Sequence, residues 1–335
     1  MFYWDLNHSA GTGSIGAQTA IGFMPDSTTL VTASEDEQLR FWDVNSLRVK
    51  SMVQLKHDES PLAYFTLGTP AGVAADGGSF LSIDRGQLRM WDTKTGSLKW
   101  SSQSQADAAV FAENSKTVAT YGRAGHIDFW DVQTGKRQFD PIQVNAIINS
   151  AALSRDLRMV ATAGETQGVT RGTTYISGRS DVRIFSLETG RQLRKLTSLD
   201  GPASAIAFTP DGKSIALCST FNGVTLWSVA TGKKLASLRG PVRGRHGGTF
   251  TGDIGVHDFA FSPDGSILAG AAHRSVYLWD IKTRRYMRHT KLINTPNTIG
   301  DFDVGEVRFS PDGSLLAISE FNGRSVTLER TDLSS

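Results

Sequence analysis

Residues Ala203–Leu238 read ASAIAFTPDGKSIALCSTFNGVTLWSVATGKKLASL, and their punctuation decides the architecture. The apolar run Ala203–Phe208 stops at Pro210-Asp211-Gly212. Pro fixes φ at the second position of a turn, Asp suits the third and Gly the fourth, so a type I turn between two strands is predicted. Lys213–Cys218 is the strand after that turn and Val224–Trp227 a third. Thr231-Gly232 then turns the chain into a fourth. Lettered a to d, these make one four-stranded unit.

The unit recurs. Phe261-Ser-Pro-Asp-Gly265 and Phe309-Ser-Pro-Asp-Gly313 are near copies of the first turn, and Phe23-Met-Pro-Asp26 is a looser one. Six of the seven Trp end a short apolar run: Trp4, Trp42, Trp91, Trp130, Trp227 and Trp279. Asp follows five of them, and two further runs end at Phe185 and Leu328. The spacings between these eight positions are 38, 49, 39, 55, 42, 52 and 49 residues. A unit of roughly 40–45 residues with insertions is the mark of a repeat array. Thr95-Gly96, Thr134-Gly135 and Thr189-Gly190 repeat the c–d turn. Seven a-b-c sets are present, but only six d strands follow them. Phe2–Leu6 is the expected outer strand of the last unit, since an array left open exposes unpaired sheet edges.

On these residues the chain resembles the WD-repeat (Trp-Asp) family over essentially its whole length, with divergent repeats. The resemblance implies an all-β fold, a seven-bladed β-propeller of four-stranded antiparallel blades. One such domain over 1–335 is expected, with blade ends at Trp42, Trp91, Trp130, Phe185, Trp227, Trp279 and Leu328 and its ring closed by residues 2–6. The family often braces its blades with an Asp six residues before the Trp and a Gly-His pair. Asp36 fits before Trp42, but Ala124, Phe221 and His273 stand in the equivalent places before Trp130, Trp227 and Trp279. No Gly-His pair stands at the start of a unit, and only His57 stands near an expected place. Phe2–Leu6 also reads as a strand c, which would make the chain an excerpt of a longer protein.

Composition bounds the function. With 39% hydrophobic residues in 335, wholesale disorder is excluded. Lys plus Arg total 35 against 33 Asp plus Glu, a balance that argues against a dedicated nucleic-acid coat or a polybasic membrane binder. The lone Cys218 can form no intramolecular disulfide, and no Cys cluster exists to hold zinc. No apolar run approaches the roughly 18 residues of a spanning helix, and Met1–Ala10 has neither a basic start nor an apolar stretch. A cytoplasmic chain with no membrane partner is expected.

In an antiparallel four-stranded unit, a–b and c–d turns share one end while b–c and d–a loops share the other. The c–d turns are short, and so are the a–b turns except Gly68–Gly78 of blade 2. The extra length sits at the b–c/d–a end: Ala163–Ser180, His57–Pro61, Arg239–Gly255 and Arg288–Val304. Loops on a rigid scaffold are where binding usually resides. The candidate partner-binding residues are Arg171, Tyr175 and Arg179 in blade 4, and Arg243, Arg245, His246 and Phe250 before blade 6. Arg239, Arg288, His289 and Lys291 lie in the same connections. Arg and aromatic side chains anchor interfaces, and Arg grips carboxylates and phosphates with two donors. Two readings stand side by side: a pocket for an acidic or phosphorylated peptide, or solvated charge offset by Asp253, Asp301 and Asp303. The basic run Lys282–Arg288 overlaps an outer strand, where charge also guards against edge pairing.

Other motifs fail on context. Gly11-Thr-Gly-Ser-Ile-Gly16 has the spacing of a dinucleotide loop, but Thr28–Thr32 reads as strand and no βαβ unit can be built. The seven His form no metal spacing on one element, and no G-x-S-x-G is present. Cys218 reads as a small buried hydrophobe, and the repeated Trp as packing between blades. No catalytic, metal or cofactor residue is assigned. The expected function is a non-catalytic protein-interaction scaffold binding a protein or peptide on the b–c/d–a face. The alternatives are an enzyme with residues at the channel mouth, or nucleic-acid binding at a basic loop rim.

Overall fold

In a computed structural model the a–b turns follow one plan. The residue that closes each turn donates its backbone N–H three residues back, as Gly212 does to Thr209 O at 2.8 Å and Gly313 to Ser310 O at 2.8 Å. That residue takes a left-handed backbone in all seven turns: Ser27, Gly77, Ser115, Leu157, Gly212, Gly265 and Gly313. A type I turn followed by a left-handed residue is a favoured hairpin connection. The turn Asp accepts backbone N–H groups across it, as Asp211 does from Lys213 and Asp312 from Ser314, both at 3.0 Å.

The structure describes residues 2–5, 18–34, 36–56, 72–84, 86–166, 168–171, 174–176, 179–197, 199, 201–219, 223–238, 240, 255–272, 275–291, 304–320 and 325–331. Strands form seven four-stranded antiparallel sheets, the blades of a β-propeller, and no helix occurs among the described residues. Blade 1 is Gln18–Phe23, Thr29–Ser34, Gln38–Asp43 and Arg48–Gln54. Blade 4 is Ile147–Leu153, Met159–Glu165, Ser180–Ser186 and Gln192–Leu196. Blade 5 is Ala203–Phe208, Ser214–Ser219, Gly223–Ser228 and Lys234–Leu238. Blade 7 is Val304–Phe309, Leu315–Glu320, Ser325–Arg330 and, as its outer strand, Phe2–Asp5. Phe2 pairs with Leu328 and Asp5 with Ser325, so the N-terminal segment completes the last blade as expected, with Leu6 outside the described residues.

One expectation changes. Strand a of blade 2 is only Gly72–Val73, and its a–b turn is a minimal one at 74–78, closed by Gly77 N–H to Ala74 O. Asp76-Gly77 supplies the turn chemistry without a Pro. The described turn thus lacks the length expected of Gly68–Gly78, and Gly68–Ala71 lie outside the described residues.

The chain divides into two compact units: Met1–Tyr121, Asp128–Asp140 and Asn294–Ser335 form one, and Gly122–Ile127 with Pro141–Ile293 the other. The boundary passes through blade 3. In the first unit Trp42 packs on Ala317, Val326 and Leu328 of blade 7, Trp91 on Ala20, Ala33 and Leu39 of blade 1, and Trp130 on Leu81, Leu88 and Met90 of blade 2. In the second, Trp227 packs on Ala161, Val182 and Ile184 of blade 4, and Trp279 on Ala216, Val224 and Leu226 of blade 5. Each indole thus fills the seam with the preceding blade, as its one-per-blade repetition predicts.

The indole N–H also needs an acceptor in that seam. Trp42 donates to Thr32 Oγ1 (3.0 Å), Trp91 to Ser82 Oγ (3.0 Å) and Trp130 to Thr120 Oγ1 (2.9 Å), each hydroxyl on strand b. In blade 5 that strand b position is Leu217, and strand c compensates. Trp227 donates to Thr225 Oγ1 (2.8 Å), whose hydroxyl donates to Leu217 O (3.2 Å). In blade 4 Phe185 replaces the Trp, and the buried Thr162 Oγ1 has no hydrogen-bond partner among the described residues.

Two kinds of contact join neighbouring blades inside each unit. At the inner strands of the second unit, bulges free a polar side chain to reach across. Asn149 Nδ2 donates to Ala203 O (2.9 Å) and Ser204 Oγ to Val256 O (2.6 Å); each acceptor immediately precedes the next blade's bulge. At the outer strands, strand d presses on the next blade's Thr-Gly turn. Trp100 Nε1 donates to Val132 O (2.9 Å), and a Cβ on Gly135 would come within 2.6 Å of the Trp100 indole.

Each blade is also tied at its turns. A backbone N–H just past the strand c aromatic donates to the start of strand b: Val44 to Thr28 O, Thr93 to Gly78 O, Leu187 to Arg158 O and Val229 to Lys213 O. The Asp after the Trp caps the c–d turn. Asp43 accepts from Ser46 N (2.7 Å) and Asp131 from Thr134 N (2.7 Å), while Ser186 and Ser228 serve more weakly in blades 4 and 5. The Ser46 N–H and hydroxyl hold the Asp43 carboxyl down at about 2, well under its usual value. At Asp92 and Asp131 partial burial pushes upward, but the turn hydrogen bonds outweigh it and the net shift is down. At Asp211, Asp264 and Asp312 the Thr or Ser hydroxyl of the turn leads the lowering.

Two outcomes are expected. Thr162→Val removes a polar atom with no partner and raises stability by about 1 kcal/mol, whereas Thr120→Val strands the Trp130 N–H and costs about 1–3 kcal/mol. Urea unfolding of both variants checks this, and equal losses would refute it. A carboxylate whose folded pKa is depressed contributes stability present above its unfolded value near 4 and lost as pH falls toward the folded one. The melting temperature should therefore change little from pH 7 to 5 and fall steeply from about pH 4 toward 2. A flat profile through that window would contradict the capping role.

Candidate interaction face

The blade 4 b–c connection is the longest one with described structure. The expected loop Ala163–Ser180 is shorter than the sequence suggested, because strand b runs to Glu165 and pairs Ala163, Gly164 and Glu165 with Val182, Asp181 and Ser180. What remains is folded. Thr166 N–H donates to Arg179 O (2.9 Å) and Arg179 N–H to Thr166 Oγ1 (3.0 Å), closing a neck. Beyond the neck, Val169–Arg171 and Thr174–Ile176 form an antiparallel two-stranded ribbon, pairing 169 with 176, 170 with 175 and 171 with 174. Arg171 and Tyr175 thus occupy adjacent rungs of the ribbon, and Arg179 stands exposed at its base.

Behind the neck lies a charge cluster that sequence reading missed. Asp181, with a fully buried carboxylate, meets Arg183 Nε at 2.6 Å, and its other oxygen accepts from Arg183 Nη2 (2.8 Å) and Lys195 Nζ (3.0 Å). Burial pushes the Asp181 carboxyl upward, but the two cations outweigh it and hold it below its usual range. Lys195 remains 44% exposed, so the cluster presents a cation to solvent. Its signal in the sequence was the Asp-x-Arg alternation on strand c, which places both side chains on one face.

In the first unit the b–c turn of blade 1 holds a smaller relative of this arrangement. Arg40 donates to Ser34 Oγ (2.7 Å) and pairs with Asp36, which also accepts from the Ser34 hydroxyl (2.7 Å). Asp36 therefore braces its turn through Arg40.

The remaining candidates divide in two. Arg243, Arg245, His246 and Phe250 lie outside the described residues, as do Arg239, His57, Asp253, Asp301 and Asp303. Arg288, His289 and Lys291 are not loop residues: they belong to Arg285–Lys291, the outer strand of blade 6, which pairs through to Ser275↔Lys291. The basic run extends that strand because Thr290 and Lys291 continue its pairing past the expected end. Among the described residues no group of three or more His, Cys, Asp or Glu is placed to hold a metal ion, and Cys218 is buried and in no disulfide.

Comparison with known proteins agrees with this architecture. A family model described as WD domain, G-beta repeat matches residues 7–43 and 244–280, each match ending on the Asp after a strand c Trp. A second, described as outer membrane protein assembly factor BamB, matches residues 27–204, just over half of the chain. The chain carries WD repeats in a seven-bladed β-propeller and, over 27–204, belongs to the family of that second model. It is 26% identical over 223 residues to serine-threonine kinase receptor-associated protein of Bos taurus, covering 64% of this chain and 55% of that protein. It is 29% identical over 122 residues to small ribosomal subunit protein RACK1y of Oryza sativa subsp. japonica, covering 35% and 32%. With autophagy-related protein 16 of Arabidopsis thaliana it shares 23% over 244 residues, covering 70% and 45%. The chain spans about half the length of the first of these relatives.

Asp181→Ala leaves Arg183 and Lys195 without their carboxylate. A loss of about 2–3 kcal/mol is expected, less than for a wholly buried pair because Lys195 reaches solvent. Denaturant titration checks it; a loss under about 0.5 kcal/mol would show that the cluster is solvent-relaxed.

Proposed function

We propose that this protein is a non-catalytic interaction scaffold that holds a partner protein or peptide on its b–c/d–a face, with blade 4 at the centre of the site. One observation carries the reading: the blade 4 insertion is a paired ribbon on a hydrogen-bonded neck, beside a buried carboxylate that holds two cations. Ordering a connection in this way reduces the entropy lost when a partner docks. Arg171, Tyr175 and Arg179 are its proposed contacts, with Arg243, Arg245, His246 and Phe250 from the connection before blade 6. An acidic or phosphorylated peptide suits them, because Arg binds both groups through paired donors. The names of the relatives fit such a role: a receptor-associated protein, a ribosomal subunit protein and an assembly factor are each named for attachment. The proposal places the protein in the cytoplasm, in keeping with a single buried thiol and no disulfide; recovery in a membrane fraction would overturn that part.

The test is a quantitative pull-down from source-cell extract, with and without phosphatase treatment. The intact chain and an Arg171→Ala/Arg179→Ala variant, shown to be folded by circular dichroism, serve as baits. A partner retained by the intact chain and lost from the variant supports the site, and its loss after phosphatase identifies a phosphorylated ligand. Equal capture by both baits overturns the placement.

A further inference from the structure

At the opposite end of the blades, one pair of positions changes character between the two units. In blades 1 and 2 the Asp after the Trp is answered by a lysine on strand d: Lys50 Nζ lies 3.3 Å from Asp43, and Lys99 Nζ 3.7 Å from Asp92. In blade 3 Gln138 does the same, donating to Asp131 at 3.0 Å. The lysines sit one residue past the partner of the Trp, since Trp42 pairs with Val49 and Trp91 with Leu98. In blades 4 and 5 the corresponding register, from Phe185↔Gln192 and Trp227↔Lys234, holds Leu193 and Leu235, and the Asp is Ser186 or Ser228. Both halves of the polar pair have been replaced together.

The replacements leave the leucines in solvent, at 41% and 43% exposure. Exposed cations flank them. Arg191, Lys233, Lys234 and Arg285 form no side-chain hydrogen bond or ion pair among the described residues. Glu188 is the exposed acid on these turns, and Asp280 is already engaged by Thr283 N–H at 2.6 Å. Two arginines make the strip continuous. Arg194 donates to Ala230 O in the blade 5 turn (2.6 Å), and Arg284 in the blade 6 turn donates to Leu235 O (3.3 Å). Met52 and Leu98 are exposed too, but the charges beside them are the neutralised pairs of blades 1 and 2.

We propose that the outer strands and c–d turns of blades 4 and 5, extended by the blade 6 turn, form a second docking surface for an acidic protein segment bearing apolar side chains, with Leu193 and Leu235 as its apolar contacts. A nucleic-acid backbone would use the cations but not two leucines at a fixed register. A bilayer calls for a larger apolar face than two side chains on separate strands provide. Because c–d turns lie at the other end of each blade from b–c loops, this surface does not depend on the blade 4 ribbon.

A random peptide display library selected on the intact chain provides the test. Two variants, each shown to melt as the parent does, are compared: Arg191→Glu/Lys233→Glu/Lys234→Glu/Arg285→Glu, and Leu193→Ser/Leu235→Ser. The expected result is enrichment of acidic peptides with apolar residues, whose affinity by fluorescence anisotropy falls about tenfold or more in both variants. It should stay unchanged in Arg179→Ala. A single-stranded RNA oligonucleotide and vesicles containing phosphatidylserine are measured in parallel. Enrichment without acidic bias, affinity unaffected by the leucine changes, or charge-dependent binding of RNA or vesicles in place of peptide would each overturn the proposal.

Discussion

Everything in this fold rests on an indole buried in the seam between two blades. A four-stranded blade has two apolar faces and cannot cover either alone; its neighbours do so, and in blades 1, 2, 3, 5 and 6 a strand c Trp fills the seam with the preceding blade. Three of the five, Trp42, Trp91 and Trp279, are wholly inaccessible to water. A ring of that size brings an N–H into the apolar interior, and the hydroxyls on strand b exist to receive it. The departures show that the constraint is chemical and not positional. Blade 5 moves the hydroxyl to strand c when strand b offers Leu217. In blade 6 the same strand b position is Gly270, where a Cβ would lie 2.9 Å from the Trp279 ring, so the ring packs on bare backbone.

Around that seam, the Asp residues organise backbone more than charge. Those of the a–b and c–d turns accept N–H groups that the strands cannot satisfy, leaving a frame of short, stiff turns at one end of each blade. Variation is then free to collect at the other end, where blade 4 carries its ribbon. It also collects where a capping Asp has become Ser and its neighbours no longer need to be polar. The two proposed surfaces follow from these two freedoms.

Turn chemistry and Trp spacing made the architecture legible from sequence, down to the N-terminal strand of the last blade, because each mark reflects a local backbone requirement. Strand a of blade 2 was not legible: Gly72–Val73 is too short to show periodicity, and its turn lacks the Pro that flags the others. Nor were the bulge contacts of Asn149 and Ser204, since polar residues on an inner strand look alike until the register shift is known. At the candidate face, Arg171, Tyr175 and Arg179 lie on one connection whose pairing was hidden in the sequence. The Asp181 cluster joins strand c to strand d across 14 residues, a distance at which no local pattern reports contact. Arg288, His289 and Lys291 were misplaced because a charged outer strand reads like a loop.

The outer strand of blade 7 has a consequence for how the molecule is made. Phe2 pairs with Leu328, so the outer strand of blade 7 is made more than 300 residues before the strand it pairs with. At about 5–20 residues per second, synthesis of the intervening chain lasts on the order of tens of seconds. Throughout that time Phe2–Asp5 lacks its blade 7 partner, and blade 7 cannot be finished by any local hairpin. Earlier blades can assemble from contiguous sequence as they emerge; the last one waits for a loop closure across nearly the whole chain, the slowest kind of contact a chain can form. The same pairing that covers an edge of blade 7 leaves that blade incomplete until both ends of this sequence have been made.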